Sequence, residues 1–381
     1  MISSISPARP SPRTLTLYCG PGVEPWGPES LSKGIGGSEE AAILISRHLA
    51  RLGWKVEVFA EPGDGRRVEH EGVTWIPYPD YSEQRCGSVF VAWRHNEFVH
   101  LAPERALTFH WLHNRQEWDY PSDVADRVDR IILVSRDHGR DPGFSDLDPR
   151  KIYISCNGLD EEFLSPPGNN EPHRIIYASC PARGLIQLLE FWPKIRRLVP
   201  DASLDVYYGF TRTYGEMIEK FPGLAVIRGA VYALLDQEEV RFHGMVGQDQ
   251  LAKAFARAGV WAYPTETPET SCITAMKALA MGCLPVTTGY GALRETLGGR
   301  DLGPVHPSAR ISRNRWRKRK FLKSLVQAMR DGGSQASHAR RLGWADWARR
   351  TYSWSSVAED WTRMFAEVAR ERAQERLEEG S

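Results

Sequence analysis

The sequence lacks a disulfide or zinc signature, a membrane span and a dominant charge. Its six cysteines, at 19, 86, 156, 180, 272 and 283, never pair as Cys-x-x-Cys. That scatter excludes a zinc ribbon or a disulfide framework and leaves free thiols, as expected of a chain kept in the reducing cytoplasm. No apolar run approaches the roughly 20 residues needed to cross a bilayer. The opening MISSISPARPSPR has no apolar core, so a flexible leader is expected rather than a signal peptide. Lys and Arg total 49 against 48 Asp and Glu, so the net charge of +1 names no partner. No Asp-x-Asp pair stands in a metal-site context. Neither a divalent ion nor a cofactor is expected.

What is present is an ordinary globular composition, 41% hydrophobic and 25% charged, over 381 residues. That length is too great for one core and predicts two domains. Short apolar runs alternate with amphipathic stretches. TLTLYC (14–19), KVEVFA (55–60), VTWIPY, SVFVAW, ALTFHWL, RIILVS and KIYISC are strand candidates. AAILISRHLARLG carries Ala42, Ile45, Leu49 and Leu52 on one helical face. A breaker-rich segment, SPPGNNEPH (165–173), interrupts the series, which then restarts with RIIYAS, SLDVYYG, VRFHG, VWAYPT and LPVTT. Strand–helix alternation of this kind predicts an α/β protein with two doubly wound, Rossmann-like domains facing across a cleft. The expected bounds are 1–168 and 169–351, with a helix in 352–381 packing back on the first domain. Ligands in such folds lie at the carboxyl ends of the strands.

Four stretches carry residues suited to that position. GIGGSEE (34–40) places Gly36 and Gly37 between a strand and a helix. Glycines there let a ligand approach backbone and free helix-start amides, or simply close a tight loop with Ser38 as the helix cap. FHWLHN puts His110 and His113 at a strand end, and His113 is nearer the loop. In YASCPARGL, Arg183 precedes Gly184 at a helix start, where a guanidinium could grip a diphosphate or lie free in solvent. In TPETSCITAMKALAMGC (267–283), Glu269 stands before a helix expected to begin near Thr270 or Ser271. The amides of Cys272, Ile273 and Thr274 lie at its mouth, and Lys277 one turn further on. Separately, ARISRNRWRKRKFLK (309–323) holds eight basic residues and no acid. It is either a solvated helix face or a contact for an anionic surface, lipid ahead of nucleic acid.

Over residues 13–370 these stretches resemble family-4 glycosyltransferases, retaining enzymes of the glycosyltransferase-B fold. The longest match runs from VRFHG to GALRET, and CNGLDEEFLSP (156–166) is similar to the element before the interdomain linker. The resemblance implies a hexosyltransferase that moves a sugar from a nucleotide-sugar donor to a saccharide, protein or lipid-linked hydroxyl. It implies that Gly36 and Gly37 approach the donor diphosphate, that Arg183 neutralises it, and that the Cys272, Ile273 and Thr274 region binds it. His243, Gly244 and Met245 would meet the nucleotide base through backbone. Glu269 matches the first carboxylate of a Glu-x7-Glu motif that touches the donor sugar, and His113 the histidine near that sugar. The chain departs at Lys277, where the motif has its ribose-binding acid, and at Ala178, where a second phosphate-binding arginine would stand. An ammonium only donates, so the lost hydrogen bond would weaken donor binding by about 1.5–3 kcal/mol unless Lys277 meets a phosphate or pairs with an acid such as Glu295.

That departure motivates an alternative, a weakened homologue that binds ligand or partner without efficient turnover. A sugar-nucleotide epimerase would need several carboxylates facing the sugar, and only Glu269 is evident. A nucleic-acid role would rest on 310–323 alone and is not expected.

Overall fold

A computed structural model of the chain describes residues 13–303 and 315–379. The expected leader through Pro12, and the part of the basic run up to Asn314, lie outside the described residues. The first sheet has eight strands: β1 Thr14–Tyr18, β2 Lys55–Ala60, β3 Val68–His70, β4 Val73–Pro77, β5 Val89–Trp93, β6 Leu107–Trp111, β7 Arg130–Leu133 and β8 Ile152–Ile154. Their order is β3-β4-β2-β1-β5-β6-β7-β8, parallel throughout except for the β3–β4 hairpin at one edge. The second sheet is wholly parallel: β9 Glu171–Ala178, β10 Ser203–Tyr207, β11 Val240–Gly244, β12 Ala258–Tyr263 and β13 Leu284–Thr287, in the order β11-β10-β9-β12-β13. Central strands such as VFVAW and AGVWAY are buried along their whole length, as parallel strands covered on both faces must be.

Strand order reverses between β1 and β5 in the first sheet and between β9 and β12 in the second. Each reversal splays the following loops apart and opens a crevice at the strand ends. The loops beyond both crevices meet one another across the domain boundary, as the hydrogen bonds below show.

The cover of the first sheet differs from simple strand–helix alternation. After β5 the chain makes only a 3-10 turn, Asn96–Leu101, and after β6 only a short helix, Ser122–Arg127. Neither is long enough to cover the central strands. The Trp354–Glu379 helix does so instead, lying beside the Gly37–Arg51 helix. Trp361 meets Trp111 edge to face at 4.9 Å, and Phe365 lies 4.8 Å from Phe109. Trp361 also donates through its indole nitrogen to Ser155 Oγ at 2.9 Å, so its polar end is satisfied in the core. In the second domain, helices Arg212–Lys220 and Gly223–Leu235 fill the stretch between β10 and β11, where the sequence pattern gave no element.

Three histidines are buried in or beside the first sheet. His110 Nδ1 lies 2.6 Å from the Tyr120 hydroxyl, and His138 Nε2 lies 2.8 Å from the Asn114 carbonyl. Burial pushes the pKa of His110 down to about 3 and that of His138 to about 4, and holds His113 well below the usual range. Each folded value lies below the unfolded one, so the unfolded chain takes up protons first as pH falls. The stability involved is fully present above about pH 6.5 and is lost below it. At about pH 5, His110 and His138 should each cost about 2 kcal/mol relative to neutral pH. Thermal melting at both pH values should show the drop, and His110→Gln should reduce it. An identical drop in that variant would refute the assignment.

Candidate active site

The second-sheet crevice is built from the ends of β9 and β12. Beyond β9 the chain turns through Cys180–Gly184 into the Leu185–Leu198 helix. Gly184 has φ +100°, and a Cβ there would strike the Pro264 carbonyl. Only glycine allows both that dihedral and that approach. The approach sets Arg183 against the loop after β12. Arg183 Nη1 donates to both Glu269 oxygens, at 3.0 and 3.2 Å, and the Tyr263 hydroxyl donates to Glu269 Oε1 at 2.5 Å. Glu269 is buried, whereas Arg183 is 43% exposed. The carboxylate beside it raises the guanidinium's pKa, and burial raises that of the Tyr263 hydroxyl, which therefore stays a donor.

The following helix begins at Ile273 with Cys272 as its cap, later than the Thr270 or Ser271 start expected. Those two residues are taken up by the domain boundary. Thr270 Oγ1 donates to the His113 carbonyl at 2.7 Å, Ser135 Oγ donates to the Thr270 carbonyl at 2.6 Å, and Asn157 Nδ2 donates to Ser271 Oγ at 3.1 Å. Arg115 completes the seam. It pairs with Asp137 and, at 2.5 Å, with Asp141 of its own domain, and donates to the Glu269 carbonyl at 2.6 Å. Thr274 Oγ1 bonds the Ala178 carbonyl, tying the helix start to β9. Cys272 and Ile273 are buried, and burial pushes the Cys272 thiol pKa well up. The first amides of this helix have no intrahelical acceptor.

On the first-domain side, Gly36 caps the Gly37–Arg51 helix in extended conformation without a side-chain bond, so Ser38 is not the cap. A methyl on Gly37 would lie 3.4 Å from Ile273 Cδ1, so this loop faces the second-domain helix directly. Glu39 pairs with Arg94 at 3.1 Å, just beyond β5. Arg94 has φ +67° and lies over the Trp93 ring at 5.0 Å. His113 sits beside Trp111 and Trp93, is buried and neutral, and its Nε2 has no hydrogen-bond partner. Its neighbours are thus Arg94 and the tryptophans, and no hydrogen bond links its ring to Glu269.

At the outer edge, His243 Nε2 lies 2.7 Å from Asp205 Oδ1 and the ring stacks on Tyr207 at 4.4 Å. The Gly244 carbonyl accepts from the Tyr208 amide at 2.8 Å. Met245 packs beside Gly34, where any side chain would meet the Val246 backbone.

Lys277 departs from the position expected of a nucleotide contact. It is 3% exposed, and Nζ lies 2.7 and 2.8 Å from the Glu40 oxygens and 2.6 Å from Gln248 Oε1. The ammonium donates to Glu40 Oε2 and to Gln248 Oε1, while Glu40 Oε1 meets it as an ion-pair contact without a hydrogen bond. Its partner is a first-domain acid, not Glu295, which instead accepts the Arg136 and Asp137 amides at 3.0 Å. Burial raises the Glu40 pKa, with Lys277 opposing. Tyr263, Arg115, Glu39, Glu40 and Arg94 also build this region. Glu39 and Glu40 close the GIGGSEE stretch and Tyr263 ends a strand candidate, but their partners Arg94, Lys277 and Glu269 are not set by any local spacing.

Two parallel-sheet domains whose crevices meet at such a seam define the glycosyltransferase-B fold. The comparisons agree on architecture. The chain is similar to sucrose-phosphate synthase from Thermosynechococcus elongatus, with TM-score 0.69 and 13% identity over 93% of this chain and 99% of that one. A glycosyltransferase from Rickettsia africae gives 0.67 and 14% over 94% and 99%. The catalytic domain of starch synthase IV from Arabidopsis thaliana, solved with ADP and acarbose, gives 0.61 and 12% over 94% and 99%. No protein-family model matches the sequence, and no curated protein does so significantly.

Removing one partner of the Lys277–Glu40 pair would strand a buried charge. Lys277→Met should destabilise by about 3–5 kcal/mol, while adding Glu40→Leu should restore most of the loss. Lys277→Glu should be worse than Lys277→Met, since it sets two carboxylates together. Thermal and urea unfolding test this. Equal stability of Lys277→Met and the parent would refute it.

Proposed function

We propose that this chain is a retaining, metal-independent glycosyltransferase of hexosyl type, acting in the cytoplasm. It would move a sugar from a nucleotide-sugar donor to a hydroxyl acceptor. The observation that carries this reading is the buried Glu269, held by Tyr263 and Arg183 at the β9–β12 crevice opposite the Gly36–Gly37 loop. Glu269 engages only Nη1 of Arg183, so the other edge of this half-exposed guanidinium is suited to a diphosphate in bidentate fashion. The start of the Ile273 helix adds positive potential from Cys272, Ile273 and Thr274. The ADP bound by the similar starch synthase domain is a ligand of that chemistry.

Sugar transfer leaves negative charge on the departing diphosphate and positive charge at the anomeric carbon. Arg183 and the helix start stabilise the first, and Glu269 lies where it can face the sugar. The anomeric carbon–phosphate oxygen bond breaks as the acceptor oxygen bonds the same face of that carbon, and the acceptor proton passes to the departing phosphate oxygen. Configuration is retained, and no separate base is needed. His113 is kept neutral by burial, and its unpartnered Nε2 is enclosed, so it would reach a sugar hydroxyl only if the side chains around it shift. Lys277 is committed to Glu40, so the ribose is held by other groups, with the His243–Met245 strand end beside the base.

A panel of nucleotide sugars should raise the melting temperature and be turned over with retained anomeric configuration in the presence of a chelator. Glu269→Gln should lower the rate by about a hundred- to a thousandfold. Arg183→Ala should weaken donor binding by about ten- to a hundredfold. Neither binding nor turnover across the panel would overturn the reading, as would inverted product. Loss of activity in chelator would overturn metal independence.

A further inference from the structure

We propose that the outer helical face of the second domain docks on an anionic lipid bilayer surface, whatever the cleft transfers. Three helices form one layer there: Gly223–Leu235, Leu185–Leu198 and Arg315–Asp331, the middle one touching both others. Lys318 pairs with Glu190 at 3.4 Å, and Arg330 donates to the Leu198 carbonyl at 3.0 Å, so two of them run side by side.

Their outward side is basic. Arg319, Lys320 and Lys323 are exposed on one helix, and Lys194 and Arg197 on its neighbour. The acids of these two helices are Glu190, paired with Lys318, and Asp331, hydrogen-bonded by Gln327. The five exposed cations are therefore not neutralised within the pair of helices. Lys320 Nζ lies over the Trp316 ring at 4.8 Å, and Trp316 is 61% exposed. An indole capped by a cation suits the depth of lipid headgroups.

The third helix supplies apolar contact. GLAVIRGAVYALL has one charge, Arg228, and only Val231 is fully buried. Val226 is 74% exposed and Tyr232 51%, with Leu198 exposed on the adjoining helix. A nearly uncharged helix that leaves such groups in water is short of a covering surface. A nucleic acid would use the cations but leave Val226 and Leu198 wet. A bilayer with acidic headgroups answers both the charge and the apolar exposure. Among the described residues no helix is long and apolar enough to cross a membrane, so the contact is peripheral.

Sedimentation of the full chain with vesicles tests the proposal. Binding should be strong to vesicles of phosphatidylcholine mixed with an equal amount of phosphatidylglycerol, and weak to phosphatidylcholine alone. Replacing Arg319, Lys320 and Lys323 by Ala should lower partitioning roughly a hundredfold, from about fivefold per cation. Trp316→Ala with Val226→Ser should lower it by about tenfold or more without changing the melting temperature. No sedimentation with the anionic vesicles would overturn the proposal, as would unchanged binding by both variants. So would equal binding to both vesicle types. Salt-sensitive binding to duplex DNA that the cation variant loses and the Trp316/Val226 variant keeps, without vesicle binding, would assign this face to nucleic acid instead.

Discussion

The placement of the two domains rests on one ion pair that neither domain can satisfy alone. Glu40 is 2% exposed and Lys277 3%, and they come from opposite sides of the boundary. An isolated charge in so dry a place would be prohibitive, so each domain carries a group that demands the other. Phe163, from the segment that links the sheets, lies 4.8 Å beneath the ammonium and closes the site from a third direction. Gln248 contributes both an acceptor to Lys277 and a donor to Glu40. The rest of the seam is hydrogen bonds: Thr270, Ser135 and Asn157 bond over short reach, and Arg115 and Glu295 bond backbone groups across the boundary. They fit only when the ion pair has set the separation.

That separation also fixes the groups that line the cleft. The Glu269 carboxylate belongs to the second domain's crevice, but its carbonyl is gripped by Arg115 of the first. Arg115 is itself anchored by two aspartates. The same backbone unit thus presents a carboxylate to the cleft and records the position of the opposite domain. Glu39 and Arg94 form a second ion pair at the β1–β5 crevice. The cleft therefore has a carboxylate–guanidinium couple on each wall, Glu269–Arg183 and Glu39–Arg94, with the glycine loop between.

Much of this architecture was legible in the chain because its signals are local. Alternating apolar runs gave most strands of both sheets, and SPPGNNEPH marked the break between them. Gly184 and Glu269 stood out because a helix entry and a Pro-flanked loop constrain few residues tightly. What escaped depends on distant partners. Lys277 meets an acid 237 positions earlier, and nothing in AMKAL discloses it. Arg115 carries no local signal, because its grip on Glu269 exists only after the domains meet. The β5 and β6 connections were too short to cover the sheet, a shortfall invisible until the Trp354–Glu379 helix was seen in their place. The apolar Gly223–Leu235 helix gave no amphipathic period, because its exposed side is nearly as apolar as its buried one.

That Trp354–Glu379 helix also orders events in time. A ribosome releases β1 to β8 long before residues 354–368 exist. Phe109 and Trp111 must therefore wait, uncovered, through the synthesis of an entire second domain. During that interval the nascent first domain presents a sticky aromatic face to its surroundings. It reaches its finished state only when the chain returns to where it began. The unit of folding is thus the full two-domain chain, although each sheet taken alone looks like a separate piece.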